Sequence, residues 1–271
     1  MNQNLTVIIV VYKTKKELLK TFINQIDTNY KILIIDNSFS YNFGEIENLK
    51  NVSIYRSPIN RGNGDGINIG LRLVKSSYAI YFDIDTIFEN SFLNYIEDYI
   101  TKINNFCILL PNINSSSSSS EEFIEKYDGE GAIMLFNVRE VIEVGLFDTD
   151  YFLYREETDL FYRCKINGKK IYLLTKIIAQ HDGSSSIEGD NINLKNIGLR
   201  SWHLMWSYFY FYKKHYSYYY AIKKSLNVFF RDLAKLIYFI LKRDKLNICI
   251  RYNRLLGLIN SILLLKSSKR L

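Results

Sequence analysis

Cysteine is scarce and unpatterned in this chain. Cys107, Cys164 and Cys249 are odd in number and far apart in sequence, and no two have zinc-finger or redox spacing. That excludes a disulfide framework and points to a reducing, cytoplasmic compartment. Long apolar runs are missing too. No charge-free segment reaches the roughly 20 residues needed to cross a bilayer. The N-terminus, MNQNLTVIIVVYK, lacks a basic leader and a small-residue cleavage site. Its short apolar run therefore reads as a first β-strand and not as a signal peptide. Acid is nearly absent from the C-terminal region. Residues 195 to 271 hold 16 Lys and Arg against two acids, Asp232 and Asp244, a net of +14. Residues 1 to 194 hold 19 basic and 26 acidic side chains, a net of −7. An acidic body thus carries a basic tail. The tail is aromatic as well, with eleven Trp, Tyr or Phe between Trp202 and Tyr220. Such a face suits nucleic acid or an anionic membrane surface. No helix-turn-helix or RNP-like pattern accompanies it, and the acidic body would repel a phosphate backbone, so nucleic acid is not expected as a partner.

What is present is an α/β pattern. The chain is 48% hydrophobic, enough for one large domain and a smaller appendage. Leu5 to Tyr12 is a continuous apolar run, as in a parallel strand covered on both faces. Thr14-Lys15-Lys16-Glu17 reads as a capping box, followed by a helix burying Leu18, Phe22 and Ile26. Further strands are expected at 31–35, 52–56, 79–82, 131–136 and 170–178. A helix is expected at 156–167, with Gly168 as its stop. Strands alternating with helices predict a mostly parallel sheet, and in such sheets ligands bind beyond the carboxyl ends of the strands. Ser115 to Ser120 reads as a mobile surface loop. From about Leu199 the pattern is helical. The expected organisation is a domain over 1–198 and a helical, basic and aromatic extension over 199–271.

Several short stretches could carry chemistry. Asp83-Ile84-Asp85 closes the strand YAIYF with two carboxylates. In an extended segment these point the same way, and a divalent cation would relieve their repulsion. Taken alone, they read equally as two solvated acids. Asn60 to Gly70 (NRGNGDGINIG) is glycine-rich and reads as a loop. It is either a ligand cradle or a plain turn, since it matches neither the dinucleotide fingerprint nor the P-loop. Glu156, Glu157 and Asp159 could supply a general base, or could simply favour a helix N-terminus. His181, one of three histidines, follows an apolar strand and precedes Asp182-Gly183, and reads either as an ordinary core or surface residue or as a metal or phosphate ligand.

The order of these stretches over residues 5 to 190 resembles the family-2 glycosyltransferases of GT-A fold, in particular the rhamnosyltransferase-like members of bacterial surface-polysaccharide pathways. The stretches are Val7 to Tyr12, Ile34 to Ser38, Asn60 to Gly70 and Asp83-Ile84-Asp85, then Val144 to Leu160, Arg163, Gly168 and His181. The resemblance implies a Rossmann-like, mostly parallel sheet flanked by helices and a nucleotide-sugar donor. By position, Tyr12 and Asp36 are implied as base and ribose contacts, and Arg61, Gly62 and Asn68 as part of the nucleotide-sugar loop. Asp83 is implied near the ribose or metal, Asp85 on a Mg²⁺ or Mn²⁺ ion, and His181 as a further metal or diphosphate contact. Glu157 stands where the family usually has the Asp of its Glu-Asp base motif, which leaves Glu156 and Asp159 as further candidates to share or take the role. Lys13 replaces a common Asn. The Gln-x-x-Arg-Trp signature of processive synthases is absent. The expectation is a single, inverting, metal-dependent sugar transfer to a glycan or lipid-linked acceptor, with 199–271 either attaching the chain to the inner membrane face or capping the catalytic domain. A catalytically inactive nucleotide-sugar binder is the alternative.

Overall fold

The computed structural model describes residues 4–114, 119–181 and 193–267. Ser115 to Ser118 of the serine run, and Asp182-Gly183 after His181, lie outside the described residues. The chain forms two compact units. The first comprises Met1–Asn60, Asp65–Phe147 and Leu160–Glu188, and the second Arg61–Gly64, Asp148–Asp159 and Gly189–Leu271.

The first unit is built on a nine-stranded sheet. Its strands are β1 (Leu5–Val11), β2 (Lys31–Asp36), β3 (Val52–Arg56), β4 (Tyr78–Phe82), β5 (Thr86–Ile87), β6 (Ile108–Ile113), β7 (Phe123–Glu125), β8 (Ile133–Asn137) and β9 (Ile171–His181). The order is β3-β2-β1-β4-β8-β6-β9-β5, with β7 also paired to β9. β3, β2, β1 and β4 are parallel, and β8 enters antiparallel beside β4, which makes the sheet mixed. Helices α1 (Lys16–Asn24), α2 (Asn63–Leu73), α3 (Phe92–Lys102), α4 (Val138–Val144) and α5 (Glu156–Ile166) alternate with the strands.

β1 shows why the sheet is covered on both sides. Its odd residues Leu5, Val7, Ile9 and Val11 join one core cluster with Leu19, Phe22 and Phe92. Ile8 points the other way and joins a second cluster with Ile35, Ile67 and Leu71. Alternation along a strand sends successive side chains to opposite faces, so a run apolar at every position needs helices on both.

Two local expectations are corrected. The Thr14 capping box does not form. Lys15 is the N-cap of α1 without a side-chain bond, and the buried Thr14 hydroxyl instead accepts from Tyr12 N at 3.3 Å. α1 accordingly buries Leu19, Phe22 and Ile23, while Ile26 is buried just past its end. The glycine-rich stretch is largely helix, because α2 begins at Asn63. Cys107 and Cys164, 57 residues apart, meet in the core with their sulfurs 3.7 Å apart.

The second unit contains three long helices, α6 (Leu194–His215), α7 (Tyr218–Leu241) and α8 (Lys245–Ile262). Helix thus begins a little before Leu199. Met205 and Phe209 of α6, Ala221 of α7 and Leu258 of α8 form its apolar centre. No described helix is long and apolar enough to cross a membrane.

Candidate active site

The first unit brings Asp83, Asp85 and His181 together. The chain leaves β4 at Phe82 and turns, so Asp83 and Asp85 lie in a turn and not in the extended segment expected of them. Asp83 O accepts from Thr86 N at 3.1 Å and from Thr86 Oγ1 at 2.6 Å, which fixes the turn. Ile84 is buried and anchors it. β5 then pairs Thr86 directly with His181 at the end of β9, and this register delivers the imidazole to the carboxylates. His181 Nε2 lies 3.3 Å from Asp85 Oδ1 and 3.9 Å from Asp83 Oδ2. One ligand atom from each residue falls within 4.8 Å of the others. Two carboxylate oxygens and an imidazole nitrogen form a donor set that suits a Mn²⁺-like ion and leaves room for further oxygen ligands. The three side chains are partly exposed, so a ligand can reach them.

Two neighbours of the cluster were not legible in the sequence. Tyr81 OH donates to Asp83 Oδ1, orienting that carboxylate. Asn114 donates from Nδ2 to His181 O at 2.9 Å and accepts from His181 N at 2.8 Å. Asn114 has φ +55, a conformation Asn tolerates better than most residues.

The other nucleotide-end candidates sit on neighbouring strands. Asp36 ends β2, which pairs with β1 on the side opposite β4. Its carboxylate is fully buried. Oδ1 accepts from Ser38 N at 2.8 Å and Ser38 Oγ at 2.5 Å, and Oδ2 accepts from Tyr41 N at 3.1 Å. Asp36 therefore organises the 37–41 turn. Tyr12 follows β1, and Lys13 Nζ lies 5.1 Å from its ring. Lys13 itself has φ +48, which explains physically why Asn would suit that position.

Asn68 is a correction. It is fully buried on α2, with Nδ2 donating to Phe147 O at 2.8 Å and Oδ1 accepting from Phe147 N at 2.9 Å. Both polar atoms hold backbone, so Asn68 is not part of a ligand-binding loop. The glycines of this stretch also serve packing. A Cβ on Gly66 would meet Val10 Cγ1 at 2.7 Å, and one on Gly70 would meet Ile8 Cγ2 at 2.7 Å. They let α2 lie close on β1.

The second unit holds the acidic turn. Gly62 has φ +102, and a side chain there would strike the Phe152 carbonyl, so only glycine fits beside the exposed Arg61. Tyr154 and Arg155 both have φ +67, an uncommon conformation for such residues that calls for support. α6 supplies it. The Arg155 guanidinium lies 4.8 Å from the Tyr208 ring centre and 5.5 Å from that of Phe211, and Ser207 Oγ donates to Leu153 O at 2.8 Å. Asp159 is fully buried, and its Oδ1 pairs with Lys214 Nζ at 2.6 Å and His215 Nε2 at 2.7 Å. Lys214 also binds Asp148 Oδ2 at 2.6 Å. Asp159 is thus committed to a buried ion-pair network, which corrects its reading as a spare base. Glu156 and Glu157 open α5. Burial holds the half-buried Glu157 carboxyl above the usual carboxylate range, with the Arg155 charge opposing in part. The largest cause is desolvation, which disfavours the charged form.

A parallel β3-β2-β1-β4 block, mixed beyond β4 and flanked by helices, is a GT-A fold. Several solved structures are similar to it. The mannosyltransferase PcManGT from Pyrobaculum calidifontis, in complex with GDP-Man and Mn²⁺, matches with TM-score 0.59 and 12% identity over 96% of this chain and 87% of that one. GalNAc-T7 with UDP, GalNAc and Mn²⁺ matches with TM-score 0.58 and 15% identity over 69% of this chain. This chain spans 45% of that longer structure. Residues 1–349 of S. aureus TarS match with TM-score 0.54 and 12% identity over 93% of this chain and 90% of that one. A comparison with curated protein sequences finds no match. The sequence pattern of glycosyl transferase family 2 matches residues 6–157, more than half of the chain, and the protein belongs to that family.

Proposed function

We propose that the protein is an inverting, metal-dependent, non-processive glycosyltransferase. It moves a hexosyl or rhamnosyl group from a UDP- or dTDP-sugar to a glycan or lipid-linked acceptor in cell-surface polysaccharide synthesis, such as O-antigen or capsule. The observation that carries this reading is the Asp83, Asp85 and His181 cluster in a family-2 chain. A divalent ion held there supplies charge neutralisation for the departing nucleoside diphosphate. Tyr12 and the turn organised by Asp36 are assigned to the nucleoside, and Arg61 with Gly62 to the donor phosphates. Glu157 accepts the acceptor hydroxyl proton. That oxygen bonds to the anomeric carbon as the sugar–phosphate bond breaks, and the electron pair leaves on the diphosphate. Glu156 lies one residue away as a secondary base. The basic C-terminal region holds the enzyme at the anionic inner face of the cytoplasmic membrane, within reach of a lipid-linked acceptor.

Mn²⁺ should raise the melting temperature of the wild type and leave that of Asp85→Ala unchanged, through binding to the folded state alone. In a nucleotide-sugar panel, Asp85→Ala and Glu157→Gln should each lower turnover at least about 100-fold. Wild-type turnover in both variants sinks the assignment. Metal-dependent UDP or dTDP binding without any turnover identifies the inactive-binder alternative.

A further inference from the structure

α7 buries little of its apolar surface. Its buried residues are Ala221, Ser225 and Asp232, and Ile222, Val228 and Phe229 are only partly buried against the apolar centre. Five other large apolar residues point outward. Tyr219, Leu226, Phe230, Ile237 and Leu241 are 78%, 46%, 61%, 55% and 79% exposed. Their spacings alternate between seven and four residues, which places all five on one face of the helix. A second stripe runs beside them. Lys224, Arg231, Lys235 and Lys242 are all exposed and repeat at the same spacings, about a third of a turn around the helix. The only acid on α7 is turned inward, with its Oδ1 3.9 Å from Arg231 Nε of the basic stripe. Asp232 is buried, and its carboxylate is bound by Arg251 Nη1 at 3.0 Å and Arg254 Nε at 2.6 Å.

We infer that this face of α7 docks in the plane of an anionic lipid surface. The inference rests on the membrane part of the proposed function and names its contact. An apolar ridge flanked by cations along one edge matches a bilayer interface, where the ridge enters the acyl boundary and the lysine stems carry their charges to the headgroups. Tyr219 suits the same depth. Charge decides between occupants. Pairing with a second copy would bring two basic stripes together without an outward acid to offset them. A phosphate polymer would engage the lysines and leave the apolar ridge in water.

The test uses the full chain and two variants altered only at exposed positions. One carries Phe230→Ser, Ile237→Ser and Leu241→Ser, and the other Lys224→Gln, Lys235→Gln and Lys242→Gln. The wild type should sediment with vesicles of phosphatidylglycerol and phosphatidylethanolamine and only weakly with phosphatidylcholine. Each variant should lose at least about tenfold in affinity for the anionic vesicles, with its melting temperature and soluble-donor turnover unchanged. Variants that bind as the wild type does overturn the α7 assignment and leave peripheral attachment standing. A wild type that binds no vesicles overturns both. A wild-type dimer that the serine variant converts to a monomer, without vesicle binding, also overturns it and makes the face a self-association surface. Vesicle binding as expected from a chain without turnover supports the docking face while the transferase reading falls.

Discussion

At the scale of single residues, the pairing of β5 with β9 joins Asp83 and Asp85 to His181, which lies about 100 residues further along the chain. Order along the chain marked all three in the sequence, but same-side projection along a strand, the reason given there, was not the one the fold uses. Glu157 was also marked, but Asp159 beside it is fixed by Lys214 and His215, 55 and 56 residues away. No local pattern reports such a partner. Glu157 yields a prediction whose sign follows from desolvation. Its carboxyl titrates higher in the folded chain than in the unfolded one. The stability it contributes is therefore present at low pH and lost as pH rises through the raised value. Glu157→Gln removes that loss. The variant should melt at a higher temperature than the wild type, by a margin that widens from pH 5 to pH 8 and vanishes in acid. Transfer by the wild type should fall on the acid side, because a protonated base cannot accept the acceptor proton, with the midpoint above the ordinary carboxylate range. Thermal melts and a pH–rate profile check both. A margin constant with pH would mean that Glu157 is solvated.

At the scale of elements, the parallel strands were readable because a strand covered on both faces must be apolar at nearly every position, as β1 and residues 32–35 of β2 are. α2 was not. Glycine is a poor helix former, so NRGNGDGINIG reads as loop, and tertiary packing overrides that preference. The contacts explain why glycine is retained there. At Gly66 a Cβ would meet both methyls of Val10, at 2.7 and 3.0 Å, and Asn37 Nδ2 at 3.2 Å. Val10 is β-branched and sits on a central strand, so it has little room to turn away. Replacing an interior helical glycine by alanine ordinarily stabilises by about 1 kcal/mol, whereas overpacking costs about 1–3 kcal/mol. Here overpacking wins. Gly66→Ala should lower stability by up to about 2 kcal/mol in chemical denaturation. A stabilised variant would show that α2 can lift from β1 at little cost.

For the molecule as a whole, the charge split between body and tail tempts one to treat residues 199–271 as a detachable membrane handle. The composition of the second unit argues otherwise, because it includes 61–64 and 148–159 along with the C-terminal helices. Within that unit α6 supplies the hydroxyl that holds the Leu153 carbonyl, the rings around Arg155, and the Lys214 ammonium and His215 imidazole on the buried Asp159. A chain cut after residue 198 would leave Asp159 and Asp148 without these partners. Stripping the partners from a buried charge costs about 3–5 kcal/mol, more than a short segment with two residues at positive φ can absorb. The cut chain should therefore lose transfer to soluble acceptors at least about 100-fold, and protease should cleave it within 148–159 while the sheet core resists. Turnover assays with mass-spectrometric mapping of the cleavage sites check this. The α7 face variants, which leave α6 intact, should keep both turnover and protection. A cut chain that still transfers sugar would show that 148–159 holds its conformation unaided, and the C-terminal helices would then serve attachment alone.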